Sequence, residues 1–243
     1  MGSEVPPRRM PKLSEAIAGE LVRDIVASGM RIGDHLAPEA TMLVDYGVGR
    51  ESLREALRLL ESQGLITIKR GPGGGPVVAG VDPLYLARTT SLFFHVGGAT
   101  YDEVLEAWQV LEPALAAQIA RRPGRADVAR ALGPYLYPQD DTGQVQEAKD
   151  TGFHTAVAEL SGSRVMILLL QSLGHMLVDH VAEALSRVED WEGVEREHAE
   201  IAEAILNGRP AKAQHLMDLH IAGVRASCAT RWPERMLDPV VWQ

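Results

Sequence analysis

The sequence predicts a mainly α protein in two parts, an N-terminal winged helix-turn-helix followed by a C-terminal all-α helical bundle. Ala, Leu and Val are abundant within the 46% of apolar residues, while aromatics make up only 5%. That balance favours helices packed on helices over a β-sandwich. Apolar residues recur at helical spacing before residue 64 and again beyond residue 83. Between them lies a β-prone, glycine-rich stretch.

The elements follow in turn. Leu13, Ala16, Ile17, Leu21 and Ile25 keep a helical period up to Ser28-Gly29 and define a first helix. A second, shorter helix starts at Pro38, whose fixed φ suits a first turn; it carries Met42 and Leu43 inward and stops at Gly47. A third starts after Gly49, with Leu53, Ala56, Leu57 and Leu60 as one apolar stripe, and stops at Gly64. Leu65–Ile68 and Val77-Val78 then read as two strands around the turn Gly71–Pro76. Helix, helix, turn, helix, hairpin is the order of a winged helix-turn-helix.

Around Gly80–Pro83 the composition changes. Helices are expected beyond it over about 84–95, 101–121, 125–132, 144–160, 163–188, 194–207 and 210–229. Gly133-Pro134, Tyr137-Pro138 and Asn207-Gly208 punctuate them. The expected domains are residues 1–80 for the head and 84–229 for the helical bundle, with 230–243 as a C-terminal tail.

A single cysteine, Cys228, excludes an internal disulfide and fits a reducing compartment. Met1–Met10 has arginines but no apolar stretch behind them, unlike a secretory signal. The most apolar run, Val165–Leu170, is far too short to cross a bilayer. A soluble cytoplasmic chain with no membrane partner is expected. The net charge of −9 argues at first against nucleic acid, but residues 1–80 hold ten basic and ten acidic side chains, and residues 81–243 hold fourteen and twenty-three. The head is neutral, so DNA binding must rest on where its arginines point.

In the third helix Arg50, Arg54 and Arg58 are spaced i, i+4, i+8 and share one face, away from the Leu53/Leu57/Leu60 stripe. Guanidinium groups so placed suit phosphates or the O6/N7 edge of guanine; the helix alone fits a solvated amphipathic surface equally well. Gly71–Gly75 is not followed by Lys-Ser/Thr and does not join a strand to a helix, which excludes a P-loop and favours a wing. In the second half Asp150 and His154 are i, i+4 on one expected helix. Taken alone, that pair fits a solvated or core-satisfied contact as well as a metal site.

The wider strings carry a resemblance. Gly33-Asp34-His35-Leu36, Pro38-Glu39, Tyr46–Arg50, Leu53–Leu57 and Gly64-Leu65-Ile66 resemble the GntR family of transcription regulators from about Leu13 to Val78. The resemblance implies a DNA-binding head in which Arg50 and Arg54 are the main recognition contacts, with Ser52 beside them. It also places Arg70 and Gly71 at a wing tip near the minor groove or backbone. Two positions depart from the family pattern: Gly49 stands where Ser or Thr is usual, and Ala40 where Arg is frequent. The operator of this chain is expected to depart from the family norm accordingly.

A second resemblance covers about residues 84–229. Asp150–His154 (DTGFH), Val157, Leu160, Ser161-Gly162-Ser163, Glu197-His198, Ala204-Ile205, Gly208, Met217 and His220 look like the FCD ligand-binding domain of the FadR subfamily. It implies an effector-binding and dimerisation domain in which Asp150, His154, His198 and His220 hold a divalent metal, Zn²⁺ first, with Ni²⁺ or Mn²⁺ as alternatives. His175 and His180 are expected on a helix face or behind the ligands, and no motif involves His35, His95 or His215. Glu106–Pro113 follows the family pattern except that Trp108 replaces an arginine that helps bind carboxylate effectors in several members. Trp108 then belongs to the core or to the pocket of a larger, more apolar effector, acyl or aromatic.

The expected protein is a ligand-responsive regulator, a repressor, bound as a homodimer to a near-palindromic double-stranded operator and released by a small molecule. Two alternatives stand beside it. One is a metal-free, acyl-sensing regulator of the same subfamily; the other is a metalloenzyme using the His/Asp set.

Overall fold

Left-handed glycines end the helices of the head, and the apolar stripes between them close it. The computed structural model describes residues 12–71, 73–80, 82–136, 146–185 and 188–242, with the side chains of 146–151 and 188–190 outside that description. The chain divides into two compact units at Asp82/Pro83.

In the first unit α1 (Leu13–Ala27) buries Ile17, Ala18 and Leu21 against α3 (Arg50–Ser62), and α2 (Glu39–Asp45) adds Met42. The α3 stripe is the one legible in the sequence: Leu53, Ala56, Leu57 and Leu60 are all buried. Each such leucine is worth about 1.5–3 kcal/mol relative to exposure. All three helices end alike, with Gly29, Gly47 and Gly64 at φ between 62° and 73°. The next amide in each case reaches back to the last turn: Met30 N to Ile25 O, Val48 N to Leu43 O, and Leu65 N to Leu60 O, at 3.0–3.2 Å. This pairing of a left-handed glycine with a long return bond satisfies carbonyls that a helix end leaves open.

Strands β1 (Ile66–Lys69) and β2 (Gly75–Val78) pair antiparallel, from Ile66↔Val78 to Lys69↔Gly75. A third segment joins them: His35 bridges Val77, and Leu36 N donates to Pro76 O at 2.9 Å. The turn depends on glycine, since a Cβ at Gly74 would lie 2.3 Å from the Lys69 carbonyl oxygen.

The second unit holds α4 (Pro83–Gly97), α5 (Tyr101–Arg121), α6 (Ala126–Leu132), a short 3-10 turn (Gly133–Tyr135), α7 (Gln146–Leu160), α8 (Arg164–Ala184), α9 (Val188–Leu206), α10 (Pro210–Arg231) and α11 (Pro233–Met236). Helices α5 and α10 run antiparallel along one another: Arg225 forks onto Asp102 at 2.6 and 2.7 Å, and Gln109 donates to Asp218 at 2.9 Å. One apolar cluster gathers α5, α6, α7, α9 and α10 around Phe153, Ile201, Ile205 and Met217. A second gathers α4, α8, α11, the starts of α5 and α9 and the end of α10 around Leu105, Leu177 and Trp191, and Trp108 packs against both.

Three expectations need correction. The helix expected over 163–188 stops at Ala184, and the next starts at Val188 rather than 194, because Trp191 and Val194 are buried and extend its apolar face backward. The segment expected as a tail, 230–243, is packed as far as Val240: α10 continues to Arg231, and Val240, 1% exposed, donates its N–H to Ala99 O at 2.9 Å. The short apolar run near residue 165 belongs to a 21-residue helix, α8, long and apolar enough to cross a membrane. Here α8 packs against α4, α5, α7 and α10.

Candidate metal centre and nucleic-acid interface

Four helices bring their chemistry to one place. One turn of α5 separates Trp108 from Glu112, α7 presents Phe153 and His154, α9 presents Glu197 and His198, and α10 presents His220. His198 and His220 are buried, and Glu112 is fully so. His198 Nε2 lies 3.2 Å from His220 Nε2, which lies 3.3 Å from His154 Nε2. Imidazole nitrogens on a tetrahedral zinc, each about 2.0–2.1 Å from the ion, stand about 3.3–3.4 Å apart. Two of the three nitrogen pairs match that spacing, and the three ligand atoms all lie within 4.8 Å of one another.

Carboxylates orient two of the rings. His154 Nδ1–H donates to both oxygens of Glu112 at 2.8 Å, and His220 Nδ1–H donates to Glu197 at 2.7 Å. A proton held on Nδ1 turns the Nε2 lone pair into the cluster, the tautomer a ligating histidine needs. His198 stacks on Phe153 at 4.0 Å between ring centroids, 16° from parallel. Burial, reinforced by His220 and His154, holds the His198 pKa well below the ordinary imidazole value. A neutral, buried imidazole keeps a lone pair to offer. The three histidines therefore form a cluster that could hold a divalent ion. Asp150 lies on α7 one turn before His154, and its side chain is outside the described residues.

A cavity of about 240 Å³ adjoins the cluster, with Trp108, Glu112 and His154 in its wall. Trp108 sits edge-on to His154 at 4.8 Å, and its indole Nε1 is buried with no hydrogen-bond partner among the described residues. His175 lines this cavity, whereas His180 stacks on Tyr101 at 4.3 Å in the other apolar cluster. Glu112 and Glu197 were not singled out from the sequence as partners of the histidines. No local signal marks Glu112, since its neighbour Val110 is 69% exposed and its partner His154 lies 42 residues away.

In the head, Arg50, Arg54 and Arg58 are exposed along α3, Ser52 is half-buried, and Arg70 and Gly71 are exposed at the turn of the wing. Arg54 donates from Nε to Glu39 at 3.1 Å. Arg54 and Arg58 line a groove between α3 and the wing together with Ile68 and Gly74. Gly49 caps α3 without a side-chain bond, and the space around it is open.

Residues 13–74 match the family described as bacterial regulatory proteins, gntR family, and residues 103–223 match the FCD domain. The chain is 28% identical to the HTH-type transcriptional repressor NanR of Salmonella newport (strain SL254), over 90% of this chain and 88% of that protein. It is 24% identical to the Glc operon transcriptional activator of Escherichia coli (strain K12), over 88% and 87%. Against the HTH-type transcriptional regulator LutR of Bacillus subtilis (strain 168) the identity is 25%, over 80% and 91%. Among solved structures, Streptococcus agalactiae GntR aligns with a TM-score of 0.66 at 24% identity, covering 88% of this chain and 99% of that one, which establishes a shared fold. The chain belongs to the GntR family of transcription regulators and carries an FCD domain behind its DNA-binding head; it is not an enzyme.

Proposed function

We propose that this GntR-family regulator, of the FadR subfamily, is a cytoplasmic homodimer that binds a near-palindromic operator and releases it when a small molecule enters the cavity beside the histidine cluster. One observation carries the proposal: three imidazole Nε2 atoms, two of them turned inward by carboxylates, converge beside a cavity large enough for a ligand. His154, His198 and His220 would hold Zn²⁺, Ni²⁺ or Mn²⁺, with Asp150 as the fourth ligand expected from the family resemblance. The ion supplies an electrophilic anchor for a ligand oxygen. Glu112 and Glu197 hold the tautomers, and Phe153 fixes the plane of His198.

On the DNA side Arg50 and Arg54 read base edges, while Ser52, Arg70 and Gly71 set register on the backbone and minor groove. A two-fold protein reads a two-fold site. The ligand acts by binding one arrangement of the dimer more tightly than the other, and the difference appears as lost operator affinity. Repression is the sign we propose; the similar chains include both the NanR repressor and the Glc operon activator.

Selection of bound sequences from a random DNA pool, followed by footprinting with metal-loaded protein, tests the reading. A protected site with two related half-sites is expected. Equal affinity for all DNA would refute it.

A further inference from the structure

We infer that Glu39 is a positioning residue for DNA recognition: it holds Arg54 so that the outer edge of the guanidinium meets the base, and its charge lowers affinity for DNA of any sequence. The inference rests on the proposed reading of α3 as the base-reading helix and deepens it by naming what aims one of its arginines.

The three arginines of α3 differ in how they are held. Arg50, Arg54 and Arg58 are all exposed on one side of the helix. Arg54 donates from Nε to Glu39 Oε1 at 3.1 Å. Among the described residues, the side chains of Arg50 and Arg58 make no hydrogen bond or ion pair, and Arg54 makes only this one. Glu39 reaches across from the start of α2, and both partners line the groove between α3 and the wing. The next residue, Ala40, carries no cation that could compete for the carboxylate. With side chains 62% and 38% exposed, the pair adds little to stability. Its consequence is orientation.

A guanidinium offers two forks, one from Nε with a terminal nitrogen and one from the two terminal nitrogens. With Nε given to Glu39, the terminal fork is left, and it fits the O6 and N7 acceptors of guanine. An arginine on a free stem also gives up rotamers when it binds, and one held beforehand loses fewer. Both effects sharpen the discrimination that Arg54 makes.

The carboxylate acts on DNA a second way. It stands on the face proposed to meet the phosphates, where a negative charge is repelled whatever the sequence. Held against Arg54, it also cancels part of that cation's pull on phosphate, so that a matched base contributes more of the contact than the backbone does. Glu39 thus lowers general affinity while raising discrimination.

Sequence selection and fluorescence anisotropy at fixed salt, with full-length protein, test the inference. Arg50→Ala and Arg54→Ala locate the base pair that each arginine reads, as the position whose preference each variant loses. Glu39→Ala is expected to reduce preference at the Arg54 pair by about fivefold and to leave the Arg50 pair within about twofold of the wild type. It should also tighten binding to random DNA by about two- to threefold. Glu39→Gln keeps an acceptor for Arg54 Nε without the charge. It should retain the Arg54 preference within about twofold and share the tighter random binding. Unchanged preference at the Arg54 pair in Glu39→Ala overturns the positioning role. Equal losses at the Arg50 and Arg54 pairs overturn it as well, since they mark a general disturbance of the head. A loss in Glu39→Gln as large as in Glu39→Ala overturns the hydrogen bond as the cause. Random-DNA affinity that fails to rise in either variant overturns the role of the charge. If Arg54→Ala loses no base preference, the reading of α3 itself fails, and the inference with it.

Discussion

In the head, Arg50, Arg54 and Arg58 project from one side of α3 while Leu53, Ala56, Leu57 and Leu60 close the core on the other. In the helical unit His198 and His220 are part of the core, stacked or bonded to Phe153, Glu197 and each other. The head separates recognition from stability; the helical unit merges them. A surface reader can change its arginines at little structural cost. In the function proposed above, a buried ring that holds the ion could not change without disturbing the packing around it, and that coupling would let occupancy of the site influence the arrangement of the helices.

The sharpest way to break this contrast is to compare a core ring with a surface arginine. Phe153→Ala should cost about 3–5 kcal/mol in denaturant unfolding, while Arg50→Ala should stay within about 0.5 kcal/mol of the wild type. Similar costs for the two would erase the distinction.

Next come the arginines on DNA. Arg50→Ala and Arg54→Ala should each lose about 1–3 kcal/mol of discrimination between the selected operator and random DNA, read by fluorescence anisotropy at fixed salt. Equal losses on both DNAs would make them phosphate contacts only. Arg50 is the cleaner test, because Arg54→Ala also frees Glu39. An exposed pair of that kind is worth at most about 1 kcal/mol.

Glu112→Gln sharpens the other side. It preserves volume but removes the charge that holds the His154 proton, and should lower zinc affinity by about 10- to 100-fold in chelator competition. An unchanged affinity would reduce Glu112 to packing.

The smallest effect is expected at the Arg225–Asp102 fork, where both side chains are about a third exposed. The Arg225 hydrogen bonds hold Asp102 below the usual carboxylate range, with burial opposing them. A depressed folded pKa gives stability that is present above the unfolded aspartate value, about 3.9, and is lost as pH falls through the folded one. Asp102→Asn should therefore cost at most about 1 kcal/mol at neutral pH, and the cost should disappear in acid unfolding. A cost that persists at low pH would assign the effect to geometry rather than charge.

What could be read from sequence was local. Gly29, Gly47 and Gly64 mark helix ends because the return bonds there require a left-handed residue, and the α3 stripe needs only a helical period. The histidines were another matter. His154, His198 and His220 lie on three helices, and only the packing of α7, α9 and α10 brings their Nε2 atoms together; the family resemblance, not spacing, singled them out. Glu112 escaped because its partner is 42 residues away. The His35 bridge escaped because a single strand residue has no period. The packing of Val240 against Ala99 escaped because one isolated apolar contact leaves no pattern.

The metal centre proposed at the histidine cluster is open to direct test. Titration calorimetry of Zn²⁺ into metal-stripped, untagged, full-length protein tests it most directly. One ion per chain is expected, with binding lost in His220→Ala while its circular dichroism stays helical. No saturable binding, or binding unchanged by His220→Ala, would contradict it.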